Sequence, residues 1–337
     1  MNPASIRLAA AVLGLGLLAS CASQVPAAPE TRPAGTAPET RPADAAFPRS
    51  VQVPGDPAQK ITIPARPQRI AALSPDAAEA AMELAGPDRL IAVPASSAGA
   101  SLSSHAAQMA KVPTKLPPGN DPDPEQIISL APDLILVTTR HGGERDAQAA
   151  LAEAGIPMIA IGNGWRTLEE VKQNLTLLGS ALGAESKAAE LTAEIDRRAR
   201  DVAARLGEPE RRPAVAILSN QAGRPFINAA DVLASDLVKR AGGDLVADKI
   251  GLRATAPVTA EQLIAAAPDA ILLIDVTGKG RESFASVLDD PAVAELPAVR
   301  DGRVTLLPAR ISYGTGGVRV ADGLEEIARW LHPEEMR

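Results

Sequence analysis

Arg140 and His141 come directly after a run of mostly aliphatic residues, 134–139, that ends at a threonine. A guanidinium group presents a planar fork of N–H donors, which suits negatively charged or carbonyl oxygen atoms. Gly142 and Gly143 follow, and residues without a side chain let the backbone come close to a bound group. The pattern predicts a ligand-binding loop at the end of a strand.

Ligands of open α/β sheets bind outside the carboxyl ends of the strands. Applied to each predicted strand end, and to the loop before residue 261, this rule gives the candidate ligand-binding residues Ser74, Ser97, Arg140, His141, Trp165, Asn220, Arg224, Arg253, Arg310 and Tyr313. Trp165 directly precedes a helix start, so a packing role beside that helix is an equal alternative. Tyr313 is the only tyrosine and lies in Ser-Tyr-Gly-Thr-Gly. Trp330 is expected in the core, and His105 and His332 are expected at the surface without partners.

The elements that must position these residues are organised around a stretch that occurs twice. Residues 125–136 read EQIISLAPDLIL and residues 261–272 read EQLIAAAPDAIL, identical at eight of twelve positions. In each copy a short helix ends before proline, which pushes the preceding residue out of the α region. An aliphatic run follows that is too short for a helix and is typical of a strand buried on both faces. The repeat predicts two similar α/β lobes.

Strands alternate with helices through both halves of the chain, which favours parallel sheets with helices on both faces. The N-terminal lobe is predicted to span 51–166 and the C-terminal lobe 208–337. Between them, Thr167 and Glu170 form a capping-box pattern that opens a helical stretch ending at Gly183, and a second stretch runs from 185 to 206. Residues 167–207 are therefore predicted to connect the lobes.

The first twenty residues have the form of an export signal: Arg7, then an apolar run from 8 to 19 that is too short to span a membrane comfortably. The run ends in Leu-Ala-Ser-Cys, with the only cysteine of the chain at Cys21. This looks like a bacterial lipobox, in which Cys21 carries lipid; an ordinary secretory signal is the alternative. Residues 21–50 are rich in proline and alanine, which predicts an extended tether. The protein is therefore expected to be exported and lipid-anchored on the outer face of the cytoplasmic membrane.

Composition excludes several functions. With 34 basic and 41 acidic residues, no basic block and 2% aromatic residues, the chain is not suited to nucleic acid. A receptor of bare Zn or Mn ions needs about three histidines and a carboxylate converging in the cleft; the chain has only three histidines, and His332 lies at the end of the last predicted helix, so no metal site is predicted. No dinucleotide-binding, P-loop or nucleophile-elbow motif is present, which leaves an α/β hydrolytic enzyme as a remote alternative.

Several motifs together resemble the periplasmic-binding-protein family for iron chelates and cobalamin, the solute receptors of bacterial ABC importers. They are the strand 69–73 with Ser74 and Pro75, the Glu-Gln-Ile-Ile-x-Leu-x-Pro-Asp-Leu-Ile block, Ala241-Gly-Gly243 and Gly302-Arg-Val304. The resemblance covers roughly residues 50–333. It implies two Rossmann-like lobes joined by one long helix, a ligand in the cleft between them, and little hinge motion. It further implies that Glu125 and Glu261, one per lobe, dock onto the two subunits of an ABC permease dimer.

The choice among ligands stays open at this point. A ferric siderophore suits arginine forks and ranks first. Haem would need an axial His or Tyr, which His141 and Tyr313 could supply, and cobalamin would need aromatic walls that the chain lacks. No cofactor and no catalytic residue are expected, and the receptor is expected to be a monomer.

Overall fold

A computed structural model describes residues 46–55, 58–117, 121–140, 142–162, 164–221, 223–314 and 317–337, all within one compact unit. The predicted signal peptide, Cys21, most of the tether and His141 lie outside the described residues. None of the described helices is both long enough and apolar enough to cross a membrane.

The first half of the chain builds a hairpin and a five-stranded sheet. The hairpin strands β1 (Arg49–Val53) and β2 (Gln59–Ile63) pair antiparallel. The sheet strands are β3 (Ile70–Ala72), β4 (Leu90–Pro94), β5 (Thr114–Leu116), β6 (Leu134–Thr138) and β7 (Met158–Ile161). All neighbours are parallel, in the order β5-β4-β3-β6-β7. The helices are α1 (Pro75–Ala85), α2 (Ala106–Met109), α3 (Pro124–Ser129) and α4 (Gly142–Glu153), with short 3-10 turns at Pro87–Arg89 and Ala95–Ala98.

Two helices connect this sheet to the next, α5 (Leu168–Leu182) and α6 (Glu185–Leu206). Thr167 caps α5 by accepting the N–H of Glu170, as predicted. Gly183 then takes a left-handed conformation with φ of 65° and ends the helix. Gly179 of α5 lies so close to α6 that a Cβ atom there would come within 2.4 Å of the Cβ of Ala188. The two sheets are therefore connected by a pair of packed helices, of which the longer is α6 with 22 residues.

The second half builds a six-stranded sheet. Its strands are β8 (Ala214–Gln221), β9 (Arg224–Ile227), β10 (Asp244–Leu245), β11 (Ala256–Pro257), β12 (Ala270–Asp275) and β13 (Val304–Pro308). The order is β11-β9-β8-β12-β13, with β10 beside the start of β8. The helices are α7 (Leu233–Arg240), α8 (Val246–Lys249), α9 (Ala260–Ala266), α10 (Ala285–Leu288), α11 (Pro291–Ala294), α12 (Pro297–Arg300), α13 (Ala309–Ser312) and α14 (Val320–Leu331), with 3-10 turns at Gly280–Phe284 and Gly317–Arg319.

The α/β fold with two helix-flanked sheets is confirmed, with one difference in the second sheet. Strands β8, β10, β12 and β13 are parallel, but β9 runs antiparallel to β8 and β11 antiparallel to β9. The chain turns back at Gly223, whose φ of 78° suits a tight hairpin. The second sheet is therefore mixed, where the alternation of elements predicted a parallel one.

The repeated stretch occupies equivalent places in the two sheets. Strand β6 lies between β3 and β7, and β12 lies between β8 and β13; both are buried along their whole length. Ala131 and Ala267, which precede the two prolines, both take a left-handed conformation, with φ of 47° and 43°. That conformation costs a residue with a side chain roughly 1–2 kcal/mol, so the tight turn is reproduced in both copies despite a penalty.

The two Pro-Asp aspartates explain why the turn is repeated. Asp133 accepts the backbone N–H groups of Gln68 and Arg69 at 2.7 and 2.9 Å, just before β3. Asp269 accepts the N–H of Ala214 at 2.8 Å, at the start of β8. Each aspartate thus bonds the beginning of the neighbouring strand to the repeat. These bonds fix the register of β3 against β6 and of β8 against β12.

Candidate functional site

A buried carboxylate lies at the carboxyl end of the first sheet. Asp76, in the first turn of α1, has a side chain with no exposed area. Its Oδ1 accepts the hydroxyl groups of Ser74 and Thr138, each at 2.7 Å, and the N–H of Ala77 at 2.8 Å. Ser74 was a predicted ligand-binding residue; in the structure it precedes α1, and its hydroxyl is directed to Asp76 and makes no capping bond.

Arg140 completes this cluster from the end of β6. Its Nη2 is paired with Asp76 Oδ2, and its backbone N–H is donated to Glu144 Oε2 at 2.6 Å. Burial lowers the pKa of Arg140, but the charge of Asp76 and the hydrogen bond to it outweigh burial and leave the pKa raised. About a quarter of the side chain, 26%, is exposed. Asp76 therefore fixes the position of the Arg140 guanidinium, and part of the Arg140 side chain remains exposed to solvent.

Trp165 lies against the same cluster and is 2% exposed. Its Nε1 donates to Thr138 Oγ1 at 3.0 Å. Gly314 of the C-terminal lobe packs on it: a Cβ atom on Gly314 would lie 2.8 Å from the Cβ of Trp165 and 3.7 Å from Arg140 Nη2. The two lobes are therefore in contact here: the backbone of Gly314 in the C-terminal lobe packs against Trp165 and Arg140 of the N-terminal lobe.

Tyr313 precedes Gly314 and is partly buried beside this junction. Burial raises the pKa of its phenol, while the positive charge of Arg140 and a hydrogen bond with Gln221 oppose the rise. The structure therefore brings together Arg140, Trp165 and Tyr313, three of the predicted site residues, from both lobes. His141 lies outside the described residues.

Asn220 lies one residue before the end of β8, Asp275 ends the neighbouring strand β12, and both side chains are buried. Asn220 Nδ2 donates to Asp275 Oδ1 at 2.9 Å and to Thr277 Oγ1 at 2.8 Å. The carboxylate of Asp275 also accepts the N–H groups of Gly278 and Gly280, at 2.8 and 3.0 Å. These bonds shape the loop after β12, so the predicted ligand-binding residue Asn220 has its side chain engaged in holding that loop.

Residues 99–105, here called the interlobe segment, reach from the first lobe to the second. The backbone N–H of Arg310 donates to Ser101 O at 2.7 Å, and its Nη1 donates to Ala100 O at 2.8 Å. The Ser101 hydroxyl donates to the backbone carbonyl of Asp275. The predicted ligand-binding residue Arg310 thus joins the lobes in this structure.

Two acidic residues of α1, Glu79 and Glu83, contact the interlobe segment. Glu79, 1% exposed, accepts the Ser103 hydroxyl and the N–H of Ser104. Glu83 Oε1 lies 3.0 Å from His105 Nε2. Burial raises the pKa of Glu79.

The pKa of His105 is raised, chiefly by its hydrogen bond to Glu83. For Glu83, burial is the largest influence and acts upward, but the bond and charge of His105 outweigh it and leave the pKa lowered. The expectation that His105 is an unpartnered surface residue is wrong.

The remaining predicted residues are scattered. Ser97 is buried, with no hydrogen-bond partner for its hydroxyl among the described residues. Arg224 is exposed with its guanidinium 5.3 Å from the ring centre of Phe226, and Arg253 lies exposed in a loop. His332, expected at the surface, is 6% exposed with Nε2 3.1 Å from Gly242 O, whereas Trp330 packs against the core as expected.

No group of three or more His, Cys, Asp or Glu side chains among the described residues is placed to hold a metal ion. The sequence did not lead us to Asp76 and Gly314 as site residues. For Asp76 a signal existed, because an acid three residues beyond the predicted strand 69–73 lies at the edge where ligands bind.

Glu125 and Glu261 are exposed and equivalent. Each is the second residue of its helix, α3 or α9, and each helix leads through the Pro-Asp turn into a central strand. Asp123 caps α3, and Thr259 forms a capping box with Gln262 in α9. In the second copy of Glu-Gln the glutamine therefore has a local role, because Gln262 closes the capping box with Thr259.

The profile of the family described as "Periplasmic binding protein" matches residues 70–311, from the start of β3 into α13. The chain is 25% identical over 283 residues, 83% of it and 84% of the relative, to an uncharacterized ABC transporter substrate-binding lipoprotein of Bacillus subtilis, YvrC. It is 26% identical over 205 residues, 58% of it and 61% of the relative, to the ferric-anguibactin-binding protein FatB of Vibrio anguillarum.

Among solved structures, the chain is similar to the periplasmic haem-binding protein BhuT in complex with two haems. The identity is 25% and the TM-score 0.65, and the match covers 80% of this chain and 99% of BhuT. The likeness therefore extends over nearly the whole length of BhuT.

Proposed function

The chain belongs to the periplasmic binding protein family, and on that premise we propose that it is the substrate-binding lipoprotein of an ABC importer, which captures an iron chelate. The family consists of binding proteins, so the hydrolytic alternative is set aside. The relatives support each half of the proposal separately: YvrC is an ABC substrate-binding lipoprotein, and FatB binds a ferric siderophore.

One observation carries the proposal for this chain, the meeting of Arg140 and Tyr313 where the lobes face each other. Arg140 supplies N–H donors and Tyr313 a phenol that can donate or accept. Both are only partly covered, and both follow strands whose carboxyl ends point to the junction. A chelate that presents oxygen atoms around iron is the ligand class that these groups suit best.

A ferric siderophore is the favoured chelate. Its carbonyl, hydroxamate or catecholate oxygen atoms match a guanidinium fork in geometry. Neither a metal ligand nor a redox group of the protein is required, because the iron arrives fully chelated.

Haem is the second candidate, and Tyr313 is the observation that favours it. A tyrosine can serve as an axial ligand of haem iron. Burial disfavours the phenolate that such a bond needs, while the charge of Arg140 favours it. BhuT, with two bound haems, shows that a protein of this shape and 25% identity accommodates the group.

Delivery and anchoring complete the proposal. Glu125 and Glu261 are the docking points for the two permease subunits, since exposed charges at equivalent positions on two lobes suit a partner with two-fold symmetry. Cys21 carries the lipid that holds the protein at the outer face of the cytoplasmic membrane.

The test uses the purified mature protein without ligand. Haemin, ferric hydroxamate and catecholate siderophores, and cyanocobalamin are each titrated against it, with tryptophan fluorescence and visible absorbance as readouts. Saturable quenching by one or more ferric siderophores, without a haem Soret shift, is the expected result. A Soret shift that is lost in Tyr313→Phe would favour haem, and no binding of any member of the panel would overturn the proposal.

A further inference from the structure

The hydrogen bonds around Asp76 show which of its neighbours donate and which accept, and they indicate the charge of its carboxyl group. The N–H of Thr138 is donated to Ser74 Oγ at 3.1 Å, and the Trp165 indole N–H is donated to Thr138 Oγ1 at 3.0 Å. Both hydroxyl groups therefore already accept, and their own protons point to Asp76 Oδ1. The N–H of Ala77 and the guanidinium of Arg140 can only donate. Since every contact of the carboxylate is a donor, Asp76 is ionised.

Arg140 is the charged partner of this buried ion. Its Nη2 contacts Asp76 Oδ2, while part of its side chain stays open beside Tyr313 and Gly314. Two further charged groups lie near its backbone: Glu144 accepts its N–H, and Arg145 donates to its carbonyl at 3.3 Å. At the junction of the lobes, therefore, Arg140 and Asp76 together form a unit with N–H donors but no net charge.

We propose that Asp76 is a specificity-determining residue, which offsets the charge of Arg140 so that the cleft selects ferric chelates of low net charge over polyanionic ones. Arg140, fixed in position by Asp76, recognises the oxygen atoms of the chelate by hydrogen bonding rather than by net charge. A neutral tris(hydroxamate) complex gains that bond at little electrostatic cost. A tris(catecholate) complex with three negative charges meets the buried carboxylate directly behind the donor. The assignment rests on the proposed function, because it concerns which chelate the same cleft prefers.

Asp76→Asn is the informative variant. The amide oxygen retains an acceptor for Ser74, Thr138 and Ala77, while the negative charge behind Arg140 is removed. More of the positive charge of Arg140 then acts on a ligand in the cleft, because Asp76 no longer offsets it. Glu79→Gln is the matched control, because it makes the same chemical change one turn later on α1, at a buried acid that contacts Ser103 and Ser104 and not Arg140.

The measurement is the ratio of dissociation constants for ferrichrome, which is neutral, and ferric enterobactin, which carries three negative charges, at low and high salt. The wild-type protein is expected to prefer the neutral chelate. Asp76→Asn is expected to shift the ratio toward the anionic one by about tenfold, with binding of the anion newly sensitive to salt. Glu79→Gln is expected to leave the ratio unchanged.

Thermal unfolding of each variant checks the fold. If Asp76→Asn does not fold, the double variant Asp76→Asn with Arg140→Gln, which removes both charges, is expected to fold and to retain the wild-type preference. A wild-type preference for the trianionic chelate, or equal changes of both affinities in Asp76→Asn, would overturn the assignment while leaving the proposed function intact. Absence of binding of any chelate by the wild type would instead overturn the proposed function and the assignment with it.

Discussion

Gly314 of the C-terminal lobe packs directly on Trp165 of the N-terminal lobe, so closely that a Cβ atom on the glycine would lie 2.8 Å from the tryptophan Cβ and 3.2 Å from its backbone oxygen. Neither neighbour is the mobile end of a side chain. The contact fixes the distance between Tyr313 and Arg140. It also requires a residue without a side chain at position 314, because any Cβ atom there would clash with Trp165.

Gly314→Ala is therefore expected to force the two lobes apart locally, at a cost of about 1–3 kcal/mol in the free energy of unfolding. Chelate affinity should fall as well, since Arg140 and Tyr313 would separate. Denaturant unfolding and fluorescence titration measure the two effects. Gly164→Ala is the control, because a Cβ there meets its nearest atoms at an ordinary 3.7 Å; equal behaviour of the two variants would contradict the packing argument.

The Glu83–His105 pair should make stability depend on pH in a defined window. The raised pKa of His105 means that its contribution is complete below the ordinary value of 6.5 and is lost as pH rises through the raised value. The lowered pKa of Glu83 means that its contribution is complete above 4.5 and is lost as pH falls through the lowered value. The pair therefore contributes fully between about pH 4.5 and 6.5.

Glu83→Gln tests this window. It should destabilise the protein by up to about 1 kcal/mol at pH 5.5, and the difference from wild type should be smaller at pH 9, because the contribution of His105 is lost as the pH rises through its raised pKa. Thermal unfolding at the two pH values is sufficient. A difference that is the same at both would show that Glu83 acts through packing or neutral hydrogen bonds and not through the ion pair.

Glu125→Ala and Glu261→Ala are expected to leave chelate affinity unchanged and to lower uptake into cells, with the double variant worse than either single one. The reason is that both glutamates are exposed, while the capping of their helices comes from Asp123 in α3 and from Thr259 with Gln262 in α9. Glu210→Ala, an exposed acid just before the start of β8, serves as the control. Normal import by the double variant, or loss of binding itself, would exclude the docking role.

Cys21→Ser is expected to release the protein into the soluble fraction or to leave its signal uncleaved. The motivation is the apolar run that ends in Leu-Ala-Ser-Cys. Fractionation of cells and mass determination of the mature protein measure the outcome. Unchanged membrane association of a normally cleaved Ser variant would show that the lipid is not the anchor.

The sequence predicted what depends on local patterns. The repeat located both central strands, and the identical Pro-Asp pairs marked two turns that prove equivalent down to the left-handed Ala131 and Ala267. The strand-end rule brought Arg140 and Tyr313 together from positions far apart in the chain. These successes share a cause, since buried strands and their ends are visible in short runs of residues.

What failed depends on contacts between distant segments. The polar partners of His105 and His332 come from α1 and from Gly242, which no local pattern reveals. Arg310 follows a strand, as a ligand-binding residue would, yet it donates to the interlobe segment. The reversal of β9 had a local signal, Gly223, that a reading based on alternating strands and helices passed over.

The central claim, that an iron chelate is held between the lobes at Arg140 and Tyr313, is tested most directly by locating the iron. Crystals of the mature protein grown with a ferric chelate that quenches its fluorescence would be measured at the iron absorption edge. The account predicts one strong anomalous peak in the cleft, with chelate oxygen atoms within hydrogen-bonding distance of the Arg140 guanidinium and Tyr313 in contact with the ligand. An iron peak away from both residues, in a crystal whose chelate is fully bound, would contradict it.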